Sequence, residues 1–132
     1  MRMRRLGISL SKLERKQNLD PHLEQYITPG ELASRWLFDI MAFGDIKPGC
    51  RVVDLGAGNG TLGIGASMLG AVFVTLVESD EEMCKIATKN AKGTLGDGTY
   101  EIQKVEIGKE VPILNEIDLS LIHISEPTRQ AT

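Results

Sequence analysis

A parallel α/β sheet with right-handed helical crossovers is the fold this 132-residue chain predicts. Three observations predict it. Short, almost wholly apolar runs such as 71–77 suit strands buried on both faces of a parallel sheet. Stretches of helical length alternate with them, giving the order helix, then β-α-β-α-β-β. At the first strand-to-helix junction stands Asp54-Leu55-Gly56-Ala57-Gly58-Asn59-Gly60, a glycine-dense turn of the kind that holds a nucleotide-sized ligand at the carboxyl end of a parallel strand.

The elements follow in order. Glu31 to Phe43 has helical spacing, with Leu32, Trp36, Leu37, Ile40 and Met41 on one stripe expected to face the core. Thr28 is the expected N-cap and Pro29 the first helical position. Gly44 and Pro48-Gly49 end this helix and turn the chain. Arg51 to Leu55 is a short buried strand. Leu62 to Leu69, rich in Gly, Ala and Ser, is a helix able to pack close to a sheet, and Gly70 suits its C-terminal cap. Ala71 to Val77 is the second strand. Asp80 to Ala91 is a helix with Asp80, Glu81 and Glu82 in its first turn, where the helix dipole favours acids. Gly93 to Gly98 is expected as a loop, Tyr100 to Val105 as a third strand, Glu106 to Glu116 as a connection, and Ile117 onward as the start of a fourth strand. There is no internal repeat or low-complexity stretch.

The length suits one domain but is short for a complete α/β enzyme. Apolar (42%) and charged (25%) contents are ordinary globular values. A net charge of −3 gives the chain as a whole no nucleic-acid footprint. Locally, Arg2, Arg4, Arg5, Lys12, Arg15 and Lys16 make residues 1–20 basic; this is either a solvated tail or first helix, or a phosphate-contacting arm. Cys50 and Cys84 have no metal-ligand spacing and read as reduced, partly buried thiols, and two histidines cannot build a metal cluster. The longest apolar run is too short to span a bilayer, and the N-terminus lacks the apolar stretch of a signal peptide. A cytoplasmic protein with no membrane contact is expected.

The acid before the glycines selects the ligand. A dinucleotide would bring an anionic pyrophosphate to this turn, where Asp54 would repel it. S-adenosylmethionine brings an ammonium and a sulfonium and no phosphate, so Asp54 favours it. Gly56, Gly58 and Gly60 let the backbone approach the ligand. The string Gly58-Asn59-Gly60-Thr61-Leu62-Gly63 also fits the dinucleotide pattern G-x-G-x-x-G. In a dinucleotide site, however, the first glycine follows the strand closely, and here Asp54 to Ala57 intervene. Glu78, after Val77, is placed to accept both ribose hydroxyls, with Asp80 as its rival. Glu24 to Pro29 either simply starts a helix or contributes a third contact, with Tyr26 and Thr28 covering the methionine end of the cofactor.

Together these pieces resemble the class I S-adenosylmethionine-dependent methyltransferases, a Rossmann-like α/β fold. More narrowly they resemble the archaeal and eukaryotic small-subunit ribosomal RNA adenine N6-methyltransferases. The resemblance rests on Leu13-Glu14, Leu23 to Pro29, Val53 to Leu62, Ile64-Gly65 and Met68 to Ala71. It runs from about Ser11 to Asp118 and weakens beyond Ala71. It implies cofactor roles for Tyr26, Thr28, Asp54, Gly56, Gly58 and Glu78. It also implies a small zinc-binding activator protein docked along a sheet edge, and an unpaired adenosine of ribosomal RNA as substrate.

Two departures stand out. Where the family carries an Asp at the end of the third strand to hold the adenine, this chain has Val105-Glu106. The family's Asn-Pro-Pro-aromatic motif after the fourth strand, which binds the target amino group and stacks on the base, is absent, so no catalytic residue is assigned; His123 falls near the Asn position. Leu119 to Arg129 instead resembles the translation of a transposase adapter used in preparing sequencing libraries. The expected organisation is therefore a basic segment at 1–20, the N-terminal part of a methyltransferase domain at 21–118 (strands one to three and the start of four), and a non-native tail at 119–132. Such a chain is expected to keep weak cofactor affinity and to transfer no methyl group. Alternatives are a protein glutamine N5-methyltransferase-like enzyme, which shares the Asn-Pro-Pro-aromatic motif, a non-catalytic cofactor-binding half-domain, and a dinucleotide oxidoreductase, which Asp54 disfavours.

Overall fold

A computed structural model describes residues 1–16, 29–106, 108–109, 112, 114 and 117–122. Eight elements occur in the order α1 (Met3–Ser11), α2 (Gly30–Ala42), β1 (Arg51–Leu55), α3 (Thr61–Met68), β2 (Phe73–Glu78), α4 (Glu81–Thr94), β3 (Tyr100–Lys104) and β4 (Leu119–Ile122). The strands form one parallel sheet in the order β3-β2-β1-β4. This is the expected α/β architecture.

Alternation along the strands separates two faces. Val52, Val74 and Leu121 point to the helices, in one core with Leu6 and Leu10 of α1, Leu37 of α2 and Ile64 of α3. Val53, Val77 and Val105 cluster on the other side with Leu55 and Ile117, without a described helix residue. Helix α3 sits close over β1 and β2 because Gly63 has no side chain; a Cβ there would collide with Leu76.

The structure corrects several expectations. The basic N-terminal stretch contains a helix, α1, whose Leu6 and Leu10 are among the largest fully buried side chains. Its approach to α2 shifts the buried face of that helix. Ala33, Ser34 and Leu37 are buried, while Leu32 and Trp36 are 38% and 42% exposed. Small residues let α1 pack there, and the Ser34 hydroxyl donates to the Met3 carbonyl at 2.6 Å. Pro29 occupies the N-cap rather than the first helical position; Thr28 lies outside the described residues. The second strand begins at Phe73, not Ala71, and ends on Glu78. Helix α4 continues through Gly93 to Thr94, into the expected loop. The third strand stops at Lys104, and the fourth runs from Leu119, pairing with β1. No described helix is long and apolar enough to cross a membrane.

Candidate cofactor site

The turn after β1 is shaped by three left-handed glycines, Gly56, Gly58 and Gly60, with φ of 74°, 59° and 93°. Gly60 is also the N-cap of α3. Four backbone donors of this turn are already engaged. The N–H groups of Gly56 and Ala57 both donate to the Val77 carbonyl at 2.9 Å, and that of Gly60 donates to Ala57 at 3.0 Å. The Gly58 N–H donates to Glu78 Oε1 at 2.8 Å. A phosphate cradle needs such N–H groups free to meet an anion. The strands on either side of it instead carry two carboxylates, Asp54 in β1 and Glu78 at the end of β2.

Asp54 lies within β1 and has no exposed surface. Its Oδ2 accepts the Gly63 N–H at 3.0 Å, satisfying an orphan donor in the first turn of α3. Its Oδ1 has no partner. Burial pushes the carboxyl up to about 7; the Gly63 N–H opposes that rise and the Glu78 charge adds to it. An unpartnered buried acceptor is costly unless something completes it. A cationic ligand would do so and hold Asp54 ionised.

Glu78 closes β2 with both oxygens anchored, Oε1 by Gly58 and Oε2 by the Asp80 N–H at 2.8 Å. Each oxygen retains a lone pair, so this is a carboxylate fixed in place to accept further donors. Its rival is committed elsewhere: Asp80 caps α4 by accepting the Met83 N–H at 2.9 Å and pairs with Lys16 at 3.4 Å. The end of β3 reaches the same place, because the Val105 N–H donates to the Glu78 carbonyl at 3.0 Å. Val105 itself faces the second apolar cluster, and Glu106 pairs with Lys109 at 3.4 Å. Cys84 is buried; burial and then the Glu78 charge push its thiol up to about 11, so it is protonated and no nucleophile.

Thus Asp54, Gly56, Gly58 and Glu78 converge, whereas Tyr26, Thr28 and His123 lie outside the described residues. Two further contributors were not read from the sequence. Asn59 is 1% exposed; its Oδ1 accepts from the Thr61 hydroxyl at 2.6 Å and its amide donates to the Glu14 carbonyl at 3.1 Å. Asn90 on α4 donates to the carbonyls of Glu14 and Asn59, both at 2.9 Å, and its Oδ1 accepts the Glu14 N–H at 2.8 Å. The two amides bind the chain after α1 to the glycine loop. For Asn90 the available signal was asparagine inside a helix, where it is uncommon without a bonding role; Asn59, in the loop, gave none. Among the described residues no group of side chains could hold a metal ion.

The parallel sheet, the glycine turn and the two acids define a class I methyltransferase fold with an S-adenosylmethionine site. The chain belongs to the ribosomal protein L11 methyltransferase (PrmA) family, whose model matches residues 32–119. A solved structure of a candidate RNA methyltransferase from Pyrococcus horikoshii superposes with a TM-score of 0.81 at 35% identity, covering 93% of this chain and 59% of that one. An uncharacterised protein of Methanocaldococcus jannaschii is 37% identical over 92 residues, 70% of this chain and 41% of the relative. The ribosomal protein L11 methyltransferase of Acetivibrio thermocellus is 53% identical over 45 residues, 34% of this chain and 14% of the relative. The chain thus spans less than two thirds of each. The family's cofactor is S-adenosylmethionine, and the residues present fit it: an orphaned buried carboxylate oxygen for the cationic end, and an anchored carboxylate at the end of β2 for the ribose.

Proposed function

We propose that this chain is the cofactor-binding part of an S-adenosylmethionine-dependent methyltransferase whose acceptor is the N6 amino group of an adenosine in ribosomal RNA. The observation that carries methyl transfer is the pair of acids, Asp54 and Glu78, beside a glycine loop in which the N–H groups of Gly56, Ala57, Gly58 and Gly60 are engaged internally. Asp54 would take the ammonium, Glu78 the ribose hydroxyls, and Tyr26 and Thr28 the methionine end. When bound, the cofactor supplies an electrophilic methyl on sulfur, and the acceptor nitrogen loses a proton as it is methylated. Rate would come from positioning rather than from acid–base chemistry.

The RNA acceptor is supported by likeness to the Pyrococcus horikoshii structure over nearly the whole chain, and by the Glu24 to Pro29 motif. The adenine N6 position rests on the sequence motifs alone, as do the zinc-binding activator at a sheet edge and a cytoplasmic setting. A second reading, a ribosomal protein acceptor, is favoured by the family match over residues 32–119.

The product of the complete gene, incubated with methyl-tritiated S-adenosylmethionine and either deproteinised ribosomal RNA or ribosomal proteins, separates the readings. Label recovered as N6-methyladenosine after nuclease digestion is expected. Label found only in the protein hydrolysate would overturn the RNA acceptor in favour of the second reading. No label in either would overturn methyl transfer.

A further inference from the structure

We propose that the groove between α1 and α2 binds the phosphate backbone of RNA; this deepens, and rests on, the RNA reading of the cofactor site. The groove has a volume of about 740 Å³; three cations, Arg4 and Lys12 from α1 and Arg35 from α2, line it against one acid, Glu31, among its described lining residues. Gly7, 3.5 Å by its would-be Cβ from the Glu31 backbone, lets the helices close on each other and forms the floor. A neighbouring depression on the outer side of α1 shares Arg4 and Lys12 and adds Arg2 and Arg5.

The charge is concentrated here. Residues 1–16 hold six of the chain's 15 bases and one of its 18 acids, although the whole chain carries −3. Arg2, Arg4, Arg5, Lys12 and Arg35 make no ion pair among the described residues, whereas Lys16, Lys89 and Lys109 do. Clustered unpaired cations repel one another, and a polyanion relieves that repulsion. Arg4, Ile8 and Lys12 fall at i, i+4 and i+8 on one stripe. At 1.5 Å per residue, Arg4 and Lys12 stand roughly 12 Å apart along the axis. That separation covers about three to four nucleotides at 3.4 Å axial rise.

A membrane surface fits poorly, because an interfacial helix needs its apolar face free, and here Leu6 and Leu10 are buried in the core. The chain leaving α1 is tied to the glycine loop. Two residues beyond Lys12, the Glu14 main chain is held by Asn59 of the glycine loop and by Asn90. An RNA strand lying on α1 would therefore run toward the turn that follows β1, which carries Asp54.

Fluorescence anisotropy with a labelled single-stranded RNA of about 20 nucleotides, titrated at several salt concentrations, tests this on the full chain. The triple variant Arg4→Gln, Lys12→Gln, Arg35→Gln changes exposed side chains only. Three lost phosphate contacts at about 0.7 each should flatten the slope of log affinity against log salt by roughly 2, and weaken binding at least about tenfold near 0.1 M salt. The control Lys47→Gln, Lys85→Gln, Lys92→Gln removes equal charge elsewhere and should stay within about twofold. Equal losses in both variants, or none in the first, would overturn the proposal. So would polyglutamate binding as tightly as RNA and being lost in the groove variant, which would give the groove to an acidic protein. If the complete gene product methylates RNA while the groove variant keeps its KM, the groove alone fails. If it methylates protein and not RNA, the acceptor reading fails instead.

Discussion

The glycine loop and the outer face of α1 meet at Glu14 but are built on opposite plans. At the loop the N–H groups of Gly56, Ala57, Gly58 and Gly60 all have partners inside the chain, and among the described residues one buried side-chain acceptor, Asp54 Oδ1, has none. On α1 the cations are exposed and without ion pairs among the described residues. The first plan gives a rigid site in which each atom matters to one small ligand. The second gives a field that many phosphates share, in which no single side chain dominates. Substitutions should therefore have large, pH-sensitive effects in the loop and small, salt-sensitive ones on α1.

The largest effect is expected at Asp54. Its carboxyl is held up to about 7 in the folded chain, against 3.8 ordinarily, by burial first and Glu78 second. The folded state therefore binds the proton more tightly than the unfolded one. That stability is fully present below about pH 4 and is lost as pH rises through 7, by up to on the order of 4 kcal/mol. Urea denaturation at pH 5 and pH 8 should show the loss in the parent chain, and the Asp54→Asn variant should lack it. Cofactor binding should run the other way: an ammonium favours ionised Asp54, so affinity should climb between pH 6 and 8 in the parent and stay weak and flat in Asp54→Asn. An identical pH slope in both chains would remove Asp54 from the site.

Next comes Leu10, on the buried side of the helix whose other side is basic. Leu10→Ala should cost about 2–5 kcal/mol, as for other large-to-small changes in a packed core. Arg4→Gln on the exposed side should stay within about 0.5 kcal/mol. Chemical denaturation of both variants measures the contrast directly. Similar values for the two would mean that α1 is not part of the core.

How much of this was legible in the sequence differs between the same two regions. The β1–turn–α3 unit was legible because its signal is covalent and local: three glycines at alternate positions can be used only by a backbone that needs positive φ. Glu78 was legible as the end of an apolar strand, although only the structure shows Asp80 committed to capping α4. A first helix was one reading of the basic segment, but the burial of α1 was not legible, because its inward face is just Leu6 and Leu10 set in a run of arginines. Missing that packing also displaced the buried face of α2, since Ala33 and Ser34 become interior only when another helix packs on them. Asn59 and Asn90 were illegible for a different reason. They bond to main-chain atoms of Glu14, 45 and 76 residues away, and no local pattern records that.

Glu78→Gln comes next in size. One amide oxygen can still accept a backbone N–H, so stability should fall by only about 1 kcal/mol. Hydrogen bonds to a charged acceptor are worth about 1.5–3 kcal/mol, so affinity for S-adenosylhomocysteine should fall roughly 10- to 100-fold. Isothermal titration distinguishes this from a general loosening, in which the melting temperature would fall as steeply as the affinity.

A last substitution, with the smallest expected effect on the cofactor, tests whether the two regions are coupled. Asn90→Ala removes the three Asn90 hydrogen bonds that tie Glu14 and Asn59 to α4 and leaves the exposed Lys89–Glu14 ion pair at 2.8 Å. Glu14 is exposed, so water can replace part of what its main chain loses, whereas the Asn59 carbonyl bond is buried. A cost of about 1–3 kcal/mol is expected, the range for a buried group left without its partner. The more telling readout is hydrogen exchange at the Glu14 amide, whose N–H donates to Asn90 Oδ1 at 2.8 Å. Exchange there should rise while the amides of β1 and β2 stay protected, because the sheet's own ladder is untouched. If the glycine loop draws its rigidity from this tie, cofactor affinity should fall in step with the lost protection. Faster exchange at Glu14 with unchanged affinity would show that the loop holds its shape through Asp54 and Glu78 alone.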